Sequence, residues 1–238
     1  WFCGFSVACV GLGTIIQNSL WLTLILLSID KILLGIKNHE LRIKDKYILL
    51  WGLLYVFSMS SALFAGHLQT FFYLFILSES YFLLRMYQSR VFRKFFLPFL
   101  ILTSLFIILT IVQWLPTLNF INLSARGVDQ NWQQAGWFIP WQNMIQFIAP
   151  DFFGNFTTLN YWGVWNYAEF VGYIGIFPII MALFALFSRR DKKSMFFGLI
   201  LFLSFIFTFP TELAKLPFIL NIPFLSTAQP TRLMFLTD

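Results

Sequence analysis

The sequence predicts an all-α, polytopic transmembrane helical bundle of about six spans plus part of another, with short interfacial helices in an extracytoplasmic loop. Composition is the first reason. Of 238 residues, 59% are hydrophobic, 21% aromatic and only 11% charged, whereas soluble domains carry about a quarter charged residues. The second is the recurrence of long apolar runs near the roughly 20 residues that a 1.5 Å rise needs to cross a hydrocarbon core of about 30 Å. The third is where the cations sit. Thirteen of the sixteen Lys and Arg residues fall in IDKILLGIKNHELRIKDK (29–46), RMYQSRVFRK (85–94) and SRRDKK (188–193), each wedged between apolar runs. Short cationic loops stay on the cytoplasmic side, so these segments orient the chain.

In chain order, spans are expected at about 14–34, 47–65, 69–87, 95–115, 170–188 and 194–210, with residues 1–11 as the end of an earlier one. With 29–46 inside, the next two spans form a hairpin whose outer turn is AGHLQT (65–70), and it returns at 85–94. The fourth span leads out, the fifth returns to 188–193, and the sixth leaves 210–238 outside. All three basic segments then share one side without any span being added or removed. Ser58, Ser61, Ala62 and Ala65 recur at spacings of three and four, where small side chains let a neighbouring helix approach. Trp21, Trp51, Trp114, Tyr47 and Tyr81 lie mostly near span ends, as interfacial anchors do.

The long outer loop, 116–169, carries one cation, Arg126, and is crowded with aromatics. Trp137, Phe138, Trp141, Met144, Ile145, Phe147 and Ile148 follow a helical apolar pattern around Pro140, which predicts an amphipathic helix over 140–148 lying on the outer membrane face. PDFFGN (150–155) reads as a tight turn punctuated by Pro150, Gly154 and Asn155. The tail is cut into short apolar pieces by Pro217, Pro223 and Pro230, a second interfacial segment. The chain starts at Trp1 and stops at Asp238 as another apolar run begins, and so reads as an internal piece of a longer membrane domain.

A net charge of +6 raises the question of nucleic acid, but the cations flank membrane runs and form no continuous basic stripe, so no nucleic-acid partner is expected. Cys3 and Cys9 are expected to be buried free thiols, since on a helix six residues place them about 9 Å apart along the axis. There is no P-loop, dinucleotide turn, paired-His metal motif or nucleophile elbow, and no cofactor is expected; nothing in the pattern points to a divalent metal.

Chemistry is expected on the outer face. His67 and Gln69 sit in the hairpin turn beside Gly66 and can hydrogen-bond a sugar or phosphate, or equally cap the turn. Glu79 lies midway along a span, where a carboxylate is costly enough to suggest function, against the alternative of a protonated, locally bonded side chain. Arg126, Asp129, Asp151 and Glu169 are the charged groups of the long loop, and Arg232 lies in the tail. An arginine fork suits phosphate, and a carboxylate can deprotonate an acceptor hydroxyl.

AGHLQTFFYLF (65–75), IVQWLPTLNFINLSAR (111–126), IAPDFFGNF (148–156), YAEFVGYIGIFPIIMALFAL (167–186) and LPFILNIPFLSTAQPTRLMFL (216–236), in this order, resemble the bacterial YfhO-like membrane proteins, within the GT-C superfamily of membrane glycosyltransferases. The resemblance runs over nearly the whole chain. It implies transfer of a sugar from a polyprenyl-phosphate donor to a cell-envelope acceptor at the extracytoplasmic face, in the cell membrane. It also implies that the catalytic carboxylate lies in a first outer loop upstream of Trp1, and that His67, Gln69, Arg126 and Arg232 bind lipid phosphate or sugar, with Asp151 and Glu169 as weaker candidates. A lipid-linked sugar or polymer transporter using Glu79, and a non-catalytic membrane scaffold, are the rival expectations.

Overall fold

The computed structural model of the protein describes residues 3–10, 13–37, 45–89, 92–123, 132–164, 167–222 and 225–237. The described residues are all-α, with no β-strand among them. Helix is what apolar runs of this length must form in lipid, because each backbone N–H and C=O then finds its partner within its own segment. The chain divides into two compact units, one of Thr14–Asn122 and one of Trp1–Gly13 with Leu123–Asp238.

The first unit holds α2 (Thr14–Lys37), α3 (Asp45–Phe64), α4 (Leu68–Ser89) and α5 (Phe92–Leu123), following a single turn, α1 (Gly4–Ala8), that belongs to the other unit. Helix α2 packs against both α3 and α4, burying Ile25, Ile29 and Ile32 with Tyr55, Met59, Leu74 and Phe82. Ser58 and Ala62 are fully buried, as their small-residue spacing predicted. Helix α5 joins through rings, Phe106 lying 5.8 Å from Phe71 and Phe99 lying 5.0 Å from Phe82. The outer hairpin turns on Gly66, whose φ of +87° is the left-handed conformation that glycine adopts without a Cβ penalty.

Helix α5 runs past the expected end at 115, through Pro116 to Leu123. Proline removes one backbone donor, a loss that membrane helices tolerate where side chains engage the adjoining turns. Gln113 Nε2 donates to Thr117 Oγ1 at 3.2 Å across this proline, and Trp114 Nε1 donates to Thr110 Oγ1 at 3.2 Å.

The second unit contains a 3-10 helix at Trp141–Phe147, then α6 (Tyr167–Phe170), α7 (Ile176–Ser188), α8 (Lys192–Thr208), α9 (Glu212–Ile219) and a final 3-10 helix at Pro230–Leu236. Helices α7 and α8 form an apolar hairpin whose turn is tied by Asp191, the N-cap of α8, accepting from the backbone N–H of Lys193 and Ser194 at 3.0 Å each. No residue of α7 is buried, and Met195, Phe197, Leu199, Phe202 and Leu203 of α8 are exposed, as side chains of lipid-facing helices would be. Cys3 and Cys9 are buried and not joined in a disulfide, and α1, within the expected end of an earlier span at 1–11, is five residues long.

The count of about six spans is not reproduced. Among the described residues three helices, over Ile15–Ile36, Lys46–Phe64 and Phe92–Ile121, are long and apolar enough to cross a membrane, and α8 with α9 makes a fourth if that pair, bent by 69°, is one broken span. Helix α4 has 22 residues but is the least apolar of the first unit's long helices, carrying Glu79 and Arg85. The expected span over 170–188 is helical only from Ile176, because Gly175 at φ +98° breaks the run after an extended segment. Its 13 residues reach about 20 Å, short of a hydrocarbon core.

The expected amphipathic α-helix over 140–148 is a 3-10 helix with its polar side inward. Asn143 and Gln146 are buried, whereas Trp141, Met144, Ile145 and Ile148 are exposed. Asn143 Nδ2 donates to Gln146 Oε1 at 2.6 Å and Gln146 Nε2 donates to Pro150 O at 3.1 Å. The Gln146 amide, bonded at both its oxygen and its nitrogen, ties the helix to the turn that follows. That turn is the expected one, with Gly154 at φ +76° so close to Asn160 that a Cβ would lie 2.3 Å from its carbonyl oxygen.

Candidate functional site

A buried carboxylate is the focus of the second unit. Glu169 lies on the single turn of α6 and is only 4% exposed. Thr231 Oγ1 donates to its Oε2, and Arg232 Nε pairs with its Oε1 at 3.5 Å. Burial makes an unpaired carboxylate costly, so engagement of both oxygens is what allows Glu169 to sit there. The fold creates the pairing by laying the final 3-10 helix against α6 and α8. Gly172 makes that approach possible, since a Cβ there would lie 2.1 Å from Met234 Cε and 2.5 Å from Phe147 Cε1.

Asp151 reaches the same short helix from another direction. Tyr167 OH donates to Asp151 Oδ1 at 2.7 Å. Burial first, and then the hydrogen bond and charge of Asp151, push the Tyr167 phenol up to about 12. Its ring packs against Tyr161 and Phe156, with centroids 5.7 and 6.0 Å away, and burial raises the Tyr161 phenol as well. Three expected residues, Asp151, Glu169 and Arg232, are thus gathered at α6, held by Tyr167 and Thr231, which the sequence reading had passed over. Glu169 and Thr231 are 62 residues apart, and no local pattern links them.

The remaining expected residues lie in the first unit. Glu79 of α4 accepts from Tyr55 OH of α3 and from Thr103 Oγ1 of α5 at 3.4 Å, so its partners come from neighbouring helices and not from a local serine or carbonyl. His67 caps the start of α4, its Nδ1 lying 3.2 Å from the donating Thr70 N–H, while Asn18 Nδ2 donates to its carbonyl at 3.2 Å. Gln69 Nε2 donates to Tyr73 OH at 3.0 Å. These contacts fit the turn-capping alternative. Arg126 and Asp129 lie outside the described residues.

One cluster was missed. Arg85 Nε pairs with Asp30 at 2.6 Å, and Tyr81 OH donates to the same Asp30 oxygen at 3.0 Å. Asp30 had been absorbed into the basic segment 29–46, yet α2 continues to Lys37 and turns it toward Tyr81 and Arg85 of α4. An acid interrupting LLSIDKILL was the available signal.

A separate groove of about 580 Å3 opens in the second unit, lined by Trp132, Gln133, Gln134, Phe138 and Lys215 among others. Among the described residues, no group of three or more His, Cys, Asp or Glu is arranged to hold a metal ion. Compared with protein-family models, curated proteins and solved structures, the chain matches none.

Proposed function

We propose that this is an integral membrane glycosyltransferase-like protein of the YfhO-like, GT-C type, moving a sugar from a polyprenyl-phosphate donor to a cell-envelope acceptor on the extracytoplasmic face of the cell membrane. The observation that carries the reading is the buried Glu169–Thr231–Arg232 arrangement with Asp151 nearby. It joins three of the sequence segments that carry the family resemblance, at 148–156, 167–186 and 216–236.

In this mechanism the lipid phosphate departs as an anion and arginine offsets the charge that develops on it. Glu169 fixes the Arg232 guanidinium, while Asp151, exposed and hydrogen-bonded to Tyr167, is the described carboxylate better placed to meet an acceptor hydroxyl. Arg126 belongs to the same proposal as a second phosphate ligand, and His67 and Gln69 as polar contacts at the outer turn. The basic segments 29–46, 85–94 and 188–193 face the cytoplasm, and the six-span topology is part of the proposal.

The test is transfer from a polyprenyl-phosphate sugar by the purified protein in lipid. Arg232→Ala and Arg126→Ala are each expected to lower it by at least about tenfold, the loss of one charge-assisted contact to phosphate. Transfer unchanged in both variants removes the arginines from the site. No transfer with any polyprenyl-phosphate sugar favours a transporter or scaffold. The transporter alternative draws on Glu79, a carboxylate bridged to two other long helices.

A further inference from the structure

We propose that the groove between Trp132 and Lys215 is a binding site for a neutral sugar. Its volume of about 580 Å3 suits a small ligand, and its lining selects the chemistry. Trp132 is stacked on Phe218 at 5.9 Å and 27°, and Phe138 meets the same ring edge-on at 5.6 Å. The indole is therefore held at the groove wall as a rigid apolar surface, on which the C–H face of a pyranose packs without side-chain ordering. Gln133 and Gln134, next along the chain and both exposed, bring amides that donate and accept, as sugar hydroxyls require.

Charge decides between a sugar and a phosphate group. Lys215 is the cation in the lining, and its Nζ is paired with Glu212 Oε1 at 2.6 Å. That pair leaves the groove without net positive charge, so an anion gains little there, whereas an uncharged polyhydroxylated ring loses nothing by it. The Arg232 arrangement, which the sugar-transfer reading assigns to phosphate, involves none of these lining residues.

The choice of envelope-type sugars as probes rests on the sugar-transfer reading; the groove itself is argued from its lining. The experiment uses the whole chain in phosphatidylcholine nanodiscs, which avoids sugar-headed detergents. Glucose, galactose, N-acetylglucosamine and inorganic phosphate are titrated separately, read by tryptophan fluorescence and by saturation-transfer NMR. At least one sugar is expected to bind saturably and phosphate not to. Trp132→Ala is expected to weaken that sugar by about tenfold or more, and Trp132→Phe by less, because a ring remains. A Gln133→Ala/Gln134→Ala variant, altering only exposed side chains, is expected to weaken it as well and guards against a misfolded Trp132→Ala. Saturable phosphate binding, absence of binding by all three sugars, or sugar binding unchanged in the glutamine variant overturns the proposal. Transfer activity is scored apart: sugar binding without transfer keeps the groove and rejects the enzyme, and transfer without groove binding does the reverse.

Discussion

Replacing Arg232 with methionine removes the cation from a carboxylate that has almost no access to water. Glu169 and Arg232 side chains are 5% and 16% exposed and their contact is 3.5 Å. Stranding one member of a buried pair costs about 3–5 kcal/mol. The long contact and the residual exposure of Arg232 put this case at the lower end, about 3 kcal/mol. At about 2–4 °C per kcal/mol for a chain of this size, melting should fall by about 6–12 °C, followed by differential scanning fluorimetry in nanodiscs. The Glu169→Leu/Arg232→Met double variant removes both charges, so it should melt nearer the wild type than either single variant does. A fall under about 1 °C for Arg232→Met, or a double variant as unstable as the two single losses added together, refutes the view of Glu169 as a buried, compensated carboxylate.

Gly172→Ala should cost about 1–3 kcal/mol through overpacking, since its Cβ would meet the Phe147 ring at 2.5 Å as well as the more yielding Met234 Cε; an unchanged melting temperature would show that both side chains give way freely. Tyr55→Phe removes a donor from Glu79 and should destabilise the first unit by about 1–3 kcal/mol, read by hydrogen exchange of α3 and α4, while unchanged protection would mean that the bond contributes nothing. The Tyr167 phenol, raised to about 12, stabilises the fold in its protonated form, so its contribution is complete below pH 10 and is lost as pH rises through 12. Ultraviolet titration should show a late tyrosinate step that loses one tyrosine's amplitude in Tyr167→Phe, and a late step of unchanged amplitude in that variant would remove the Asp151 contact from solution. With both native cysteines replaced, single cysteines at Arg190 and Thr158 should label from opposite sides of the membrane, and labelling from the same side would overturn the proposed topology.

Helix positions in the first unit were legible because they follow from the apolar pattern alone. Lipid offers the backbone no partners, so a long apolar run has one solution, and α2, α3 and α4 begin and end near the expected residues. Turn chemistry was legible for the same local reason at Gly66 and Gly154, where the backbone takes a conformation that favours glycine. Helix α5 outran its expected end at 115 because proline, here Pro116, is tolerated inside a membrane helix. At Trp141–Phe147 periodicity located the short helix and its two faces, but not its 3-10 form or which face packs against the protein. Gln146 went in where its amide accepts from Asn143 and donates to Pro150 O, while Trp141, Met144 and Ile145 were left exposed.

The candidate site divides along the same line. Residue type nominated Glu79, Asp151, Glu169 and Arg232 individually, since charge among apolar residues is conspicuous. Their partners, Tyr55, Tyr167 and Thr231, are ordinary residues in sequence and matter only through geometry. By itself the sequence determined that the chain is helical and suited to lipid, because burial of apolar surface and internal satisfaction of the backbone depend on composition and spacing. Only the tertiary structure decided that Glu169 would be enclosed with Thr231 and Arg232 while His67 would cap a turn. The Glu169 pairings join residues distant in the chain, and their energies exist only once packing has excluded water from around them, whereas the His67 cap is made three residues away at Thr70.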